Sequence, residues 1–178
     1  MATTHTTMSR IGRLVVAVLT AVTLGACMSS TPAPGSGKDD PLPVKSKEES
    51  EAWARQLVEH LAQVAGIEIN DEPVRPGFTS CVGRNGESAP DDRFTLTYGV
   101  HSNVPNARHN EVVRKVRDRL KDEGLKIVGY REMPDGSPES TVSARHPVSD
   151  YLVDVSSTAG DDRISLLVVT PCLKPPPQ

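Results

Sequence analysis

Two hydrophobic periods alternate along the chain, and the switches between them mark out its elements. In SKEESEAWARQLVEHLAQVAG, residues 46–66, Trp53, Leu57, Leu61 and Val64 recur at helical spacing and predict a helix with one apolar stripe. Ser46 and Glu49 form a capping box at its start, and Gly66 is placed to stop it. Residues 67–77 are irregular, with Pro73 and Pro76 interrupting any ladder, and a short strand around Phe78–Gly83 carries Cys81. From Arg93 to Val100 the period becomes two. Phe94, Leu96, Tyr98 and Val100 fall on one side, as in a half-buried strand.

The helical period returns in ARHNEVVRKVRDRLKDEG, where Val112, Val113, Val116 and Leu120 form the stripe, Asn106 is placed to cap the start and Gly124 the end. A strand at Leu125–Tyr130 follows at once, and three more are predicted at about 139–145, 150–157 and 163–170, separated by turn-forming residues. Ile164, Leu166, Leu167, Val168 and Val169 run without a polar break, which predicts a central strand covered on both faces. The expected fold is α+β: a mostly antiparallel sheet of about five to six strands with two helices packed on one face.

The amino-terminal pattern is different. Residues 1–13 hold Arg10 and Arg13 and no acid, and Leu14–Leu24 is an apolar run broken only by two threonines. A membrane span needs about 20 apolar residues, so this run reads as a secretory signal peptide that starts at Met1 or at Met8. Leu24-Gly25-Ala26-Cys27 then resembles the lipobox of bacterial lipoproteins. In that chemistry a diacylglyceryl group alkylates the thiol of Cys27 and the chain is cut before it. Each buried methylene contributes about 0.8 kcal/mol, so two acyl chains make a stable attachment. The expectation is a protein on the outer face of the cytoplasmic membrane, with the membrane itself as a partner through Cys27.

The expected division is a removed signal at 1–26, the lipidated cysteine and a flexible linker at 27–45, one globular domain at 46–174, and a Pro-rich tail at 175–178. The linker composition, SSTPAPGSGKDDPLPVK, has almost nothing to bury. Loss of the two arginines takes the formal net charge from −3 to −5, and aromatic residues make up only 3% of the chain. Both facts argue against a nucleic-acid partner, which needs cations for phosphates and rings for bases.

With Cys27 lipidated, Cys81 and Cys172 remain, and a pair outside the cytosol is expected to oxidise to a disulfide. The lipobox, the segment TSCVG, the join RLKDEGLKIV and the terminal VVTPC together resemble the small LppA-type lipoproteins of actinobacteria, over roughly residues 47–174. The resemblance implies an envelope protein and carries over no catalytic residue.

Candidate chemistry is sparse. His60, His101, His109 and His146 lack zinc-motif spacing, although His101 and His109 flank one loop and could converge with an acid on a metal. Asp91–Asp92 and Asp161–Asp162 fit turn chemistry better than acid/base work. No Gly-x-Ser-x-Gly or Cys-x-x-Cys occurs, and nothing calls for a cofactor or metal. On the second helix, Arg108, Lys115 and Arg119 share one side and form a candidate anion-binding face, among interleaved acids. The leading expectation is a non-enzymatic binding or interaction module whose partner is an envelope protein or polyanion. An envelope hydrolase built from scattered His and acidic residues is the first alternative, and a purely structural protein the second. On the leading expectation, each histidine tolerates substitution.

Cys27→Ser is expected to release the domain or leave an uncleaved precursor. Detergent partitioning of the fully processed variant, unchanged from the parent, would sink the anchor.

Overall fold

The computed structural model describes residues 42–70, 72, 74, 76–83 and 85–177. The signal peptide, Cys27 and the linker through residue 41 lie outside the described residues. The elements are helix α1 (Lys47–Ala65), strands β1 (Gly77–Ser80) and β2 (Phe94–Asn103), a 3-10 turn (Asn106–Arg108), helix α2 (His109–Asp122), and strands β3 (Lys126–Glu132), β4 (Ser140–Arg145), β5 (Leu152–Ser157) and β6 (Arg163–Val169). Six antiparallel strands form one sheet in the order β1-β2-β6-β5-β4-β3. After β2 the chain crosses through α2 to the far edge, then returns strand by strand until β6 lands against β2.

Both helices cover the same face. Val112, Val113, Val116 and Leu120 of α2 are buried against a sheet layer that includes Val142, Val153, Ile164 and Leu166. The capping box of α1 is present as expected, with the Glu49 N–H donating to Ser46 Oγ at 3.1 Å and the Ser46 N–H donating to Glu49 Oε2 at 2.8 Å. Its buried stripe is rotated, however. Ala54, Val58, Leu61, Ala62 and Ala65 face inward, while Trp53 and Leu57 are only partly buried at the flank. Alanines let the helix backbone approach the sheet closely, and the larger side chains fill the margin. A pattern search that weights large residues misses that arrangement.

Two further expectations need correction. Asn106 does not cap α2: its side-chain oxygen is buried without a partner, and Arg108 holds the N-cap position with no side-chain bond. Asp162 takes part of that duty from the β5–β6 turn, its Oδ1 accepting from the Asn106 N–H at 2.8 Å. β6 is central but covered on one face only. Ile164, Leu166 and Val168 are fully buried, whereas Ser165, Leu167 and Val169 are half-buried, because among the described residues no element lies over their side.

The chain ends are tied to the sheet. Cys81 and Cys172 are bonded, with Cα atoms 5.7 Å apart and 91 residues between them in sequence. Phe94 and Leu173 exchange backbone hydrogen bonds at 2.9 and 2.7 Å, and Lys174 pairs in parallel with Val44. Backbone bonding to the domain is present from Pro43 among the described residues, its carbonyl accepting from the Lys174 N–H at 2.9 Å.

Closing a loop of this length stabilises the fold by about 4–5 kcal/mol in the chain-entropy account. Cys81→Ser with Cys172→Ser should lower unfolding stability by about that amount in urea titration. Intact mass of the native chain should rise by two hydrogens on reduction. Two thiols alkylatable before reduction would contradict the bridge.

Candidate functional site

The sheet separates the two histidines that were candidates for convergence. His109, at the first position of α2, is fully buried in the core, and its Nε2–H donates to the Val104 carbonyl at 2.7 Å. His101 lies on β2 opposite Ser165, on the face away from the helices. No group of three or more His, Cys, Asp or Glu side chains is placed to hold a metal among the described residues.

The other two histidines are built into local structure. His146 stacks on Tyr151, with centroids 5.0 Å apart, and its Nδ1 accepts from the Ser149 N–H at 3.0 Å. His60 Nε2 lies 2.7 Å from Glu123 Oε1, which also accepts from Arg119 Nε at 2.6 Å, tying α1 to the end of α2. Burial pushes the Glu123 carboxyl up, but the hydrogen bonds from His60 and Arg119 outweigh it and hold the group below the usual carboxylate range.

The candidate anion-binding face on α2 is occupied by the protein's own groups. Lys115 pairs with Glu111 at 2.6 Å, Arg119 is held by Glu123, and the Arg108 guanidinium donates to the Gly66 carbonyl at 3.4 Å. Arg114 and Arg117 pair with Glu132 and Asp118. Such exposed pairs contribute little to stability. They do cancel much of the local positive field.

The face of the sheet opposite the helices is a different surface. Strand register fixes its rows. Thr97, Val169, Leu152, Arg145 and Lys126 lie side by side in one row, Gly99, Leu167, Asp154, Ser143 and Gly129 in the next, and His101, Ser165, Ser156, Thr141 and Arg131 in a third. Glycines and hydroxyl-bearing side chains are interspersed along these rows with the apolar strip Leu152, Leu167 and Val169, so the surface is low, with hydrogen-bonding groups beside the apolar ones. Lys126, Arg131, Arg145 and Arg163 bring four cations to it, against one strand acid, Asp154, which accepts from the Ser143 hydroxyl. The period-two polarity of β2 was visible in the sequence, whereas β6 read as an unbroken apolar run. Which of the strand cations share a face required the register, above all the irregularity between Ile127 and Gly129.

Two grooves lie elsewhere. Near the chain entry, Trp53 meets Tyr151 edge-to-face at 5.0 Å beside Pro43, Lys45, Pro171 and Leu173, around an apolar groove of about 260 Å³. Burial and the nearby Glu123 charge push the Tyr151 phenol up. A larger open depression of about 740 Å³ lies between the start of α1 and β1, where Lys47 Nζ sits over the Phe78 and Phe94 rings at 5.5 and 5.8 Å. Among the described residues, no histidine lines either groove.

The burial of His109 changes what its substitution does. His109→Ala leaves the Val104 carbonyl unpaired and opens a cavity, so a loss of about 2–4 kcal/mol is expected. His101→Ala and His146→Ala should cost less, roughly 1 kcal/mol or below. Urea titration of the three variants checks the ranking, and a fully stable His109→Ala would contradict it.

No family model, curated protein or solved structure matches the chain, so its role must be read from its own residues and geometry.

Proposed function

We propose that the chain is a lipid-anchored binding module of a bacterial envelope, akin to LppA-type lipoproteins. Cys27 carries the diacylglyceryl group on the outer face of the cytoplasmic membrane, and the α+β domain meets its ligand there without transforming it. The observation that supports a binding role is the open sheet face. Among the described residues, one side of the six-stranded sheet has no helical cover and presents hydroxyls and cations in register. A flat surface of this kind suits an extended ligand held by many weak contacts. A hydrolase needs a nucleophile, base and acid held in mutual geometry, and the candidate histidines sit at four separate places.

The position of the first described residues fits this role. Pro43, sixteen residues beyond Cys27, is already bonded to the domain. A segment of sixteen residues spans at most about 55 Å when fully extended, so an anchor at Cys27 would keep the proposed binding surface near the membrane.

The test uses the full chain in nonionic detergent with purified envelopes. Saturable, stoichiometric co-sedimentation with the envelope material recovered unchanged in mass is expected. Release of shortened fragments in excess of the protein added would make it a hydrolase. Absence of saturable association would leave the structural alternative.

A further inference from the structure

The charge of the open sheet face is concentrated at one corner. Lys126 on the edge strand β3 and Arg145 on β4 are direct cross-strand partners on that face. Like charges in such a position have Cβ atoms about 5 Å apart and destabilise the pair. Arg145 is answered by Asp150, its Nη1 lying 3.1 Å from Oδ1. Among the described residues, no acid pairs with Lys126 or with Arg131, which stands farther along the same face opposite Thr141.

Gly129 lies between the two β3 cations, opposite Ser143. A Cβ on Gly129 would come 3.6 Å from the Ser143 side chain, so its absence leaves a shallow floor there. Thr141 and Ser143 on β4 supply hydroxyls along one side of this floor. The corner is thus a short trough with a cation at each end, separated by roughly 13 Å at about 3.3 Å per residue with one residue lost to the irregularity.

We infer that this corner binds an anionic glycan, a polysaccharide bearing carboxylate or phosphate groups. The inference names a ligand class for the binding role proposed above and rests on it. Charged units of such a polymer would sit against Lys126–Arg145 and Arg131, relieving the like-charge pair, while sugar hydroxyls bond Thr141 and donate to Ser143, whose own proton is held by Asp154. A bilayer surface fits less well, because Leu152, Leu167 and Val169 are half-buried and Val128, exposed at the β3 irregularity, is one isolated apolar side chain beside the cations. A second copy of the chain would set like-charged corners against each other.

The full chain in nonionic detergent is titrated with polygalacturonate, with phosphorylated dextran and with uncharged dextran, and separately with phosphatidylglycerol vesicles. Binding to one or both charged polymers is expected, weakening steeply with salt, and none to uncharged dextran. Lys126→Gln with Arg131→Gln, both exposed on an edge strand, should weaken polymer binding at least about tenfold, as loss of two cations at an anionic surface implies. Arg108→Gln with Lys115→Gln and Arg119→Gln serves as the comparator and should change it less than about twofold. Salt-independent binding, equal affinity for uncharged dextran, a greater loss in the helix variant, or binding to the vesicles alone would overturn the inference. Envelope co-sedimentation separates the two levels. If it persists while the charged polymers fail to bind, the glycan assignment falls and the binding module stands; if it is absent, the binding module itself falls.

Discussion

The pairing of β2 with β6 holds the two parts of this molecule together. β1 and β2 come before the crossover helix, β3 to β6 after it, and the seven register pairs from Thr97–Val169 to Asn103–Arg163 join them into one sheet. Thr170 extends the seam within the buried interior: its hydroxyl accepts from the Leu96 N–H at 2.9 Å while its own N–H donates to the Leu96 carbonyl at 3.0 Å. Everything else follows from that closure. The helices share one face because the crossover and α1 both pack on the side where Leu96, Tyr98, Leu166 and Val168 point. Among the described residues, the other face is left bare for the same reason. Contacts this distant in sequence are slow to form, so the β2–β6 seam is the natural late step in folding.

Much of the architecture was legible because strands and helices announce themselves by period. The alternation of Phe94 to Val100, the stripe Val112–Leu120 and the capping box at Ser46 all correspond to elements found where they were expected. The failures have a common cause. The apolar run Ile164–Val169 does not reveal whether one or two layers will cover it, since half-buried Leu167 and Val169 look like core in a list of residues. Trp53 outweighs Ala54 by hydrophobicity, yet the sheet accepts the alanine because closeness of backbones decides which side faces in. Asn106 looks like a cap, but an acid 56 residues away takes the exposed amide. Each miss involves a partner that no local window contains.

Candidate sites were harder to see for the same reason. A cluster of cations on one helix is conspicuous in sequence, and there the acids that neutralise it lie four or fewer residues away or on an adjoining strand. The cations of the open face are scattered over residues 126 to 163 and become neighbours only through β-pairing. His109 illustrates the opposite error: a polar residue beside charged neighbours in sequence turns out to anchor the loop before α2 from inside the core.

The parallel clip between Pro43–Lys45 and Lys174 has a mechanical consequence. A domain tethered through the chain that precedes residue 42 would feel any pull on its ligand as tension at that point. The load would enter through the two backbone hydrogen bonds at Lys174, two residues from Cys172, and the Cys172–Cys81 bond would pass it covalently to the end of β1. Helix α1, next along the chain, would be spared direct traction until the clip gave way. The disulfide, besides shrinking the unfolded ensemble, would then act as a strain relief, routing force across the edge of the sheet and away from the helix that seals the core.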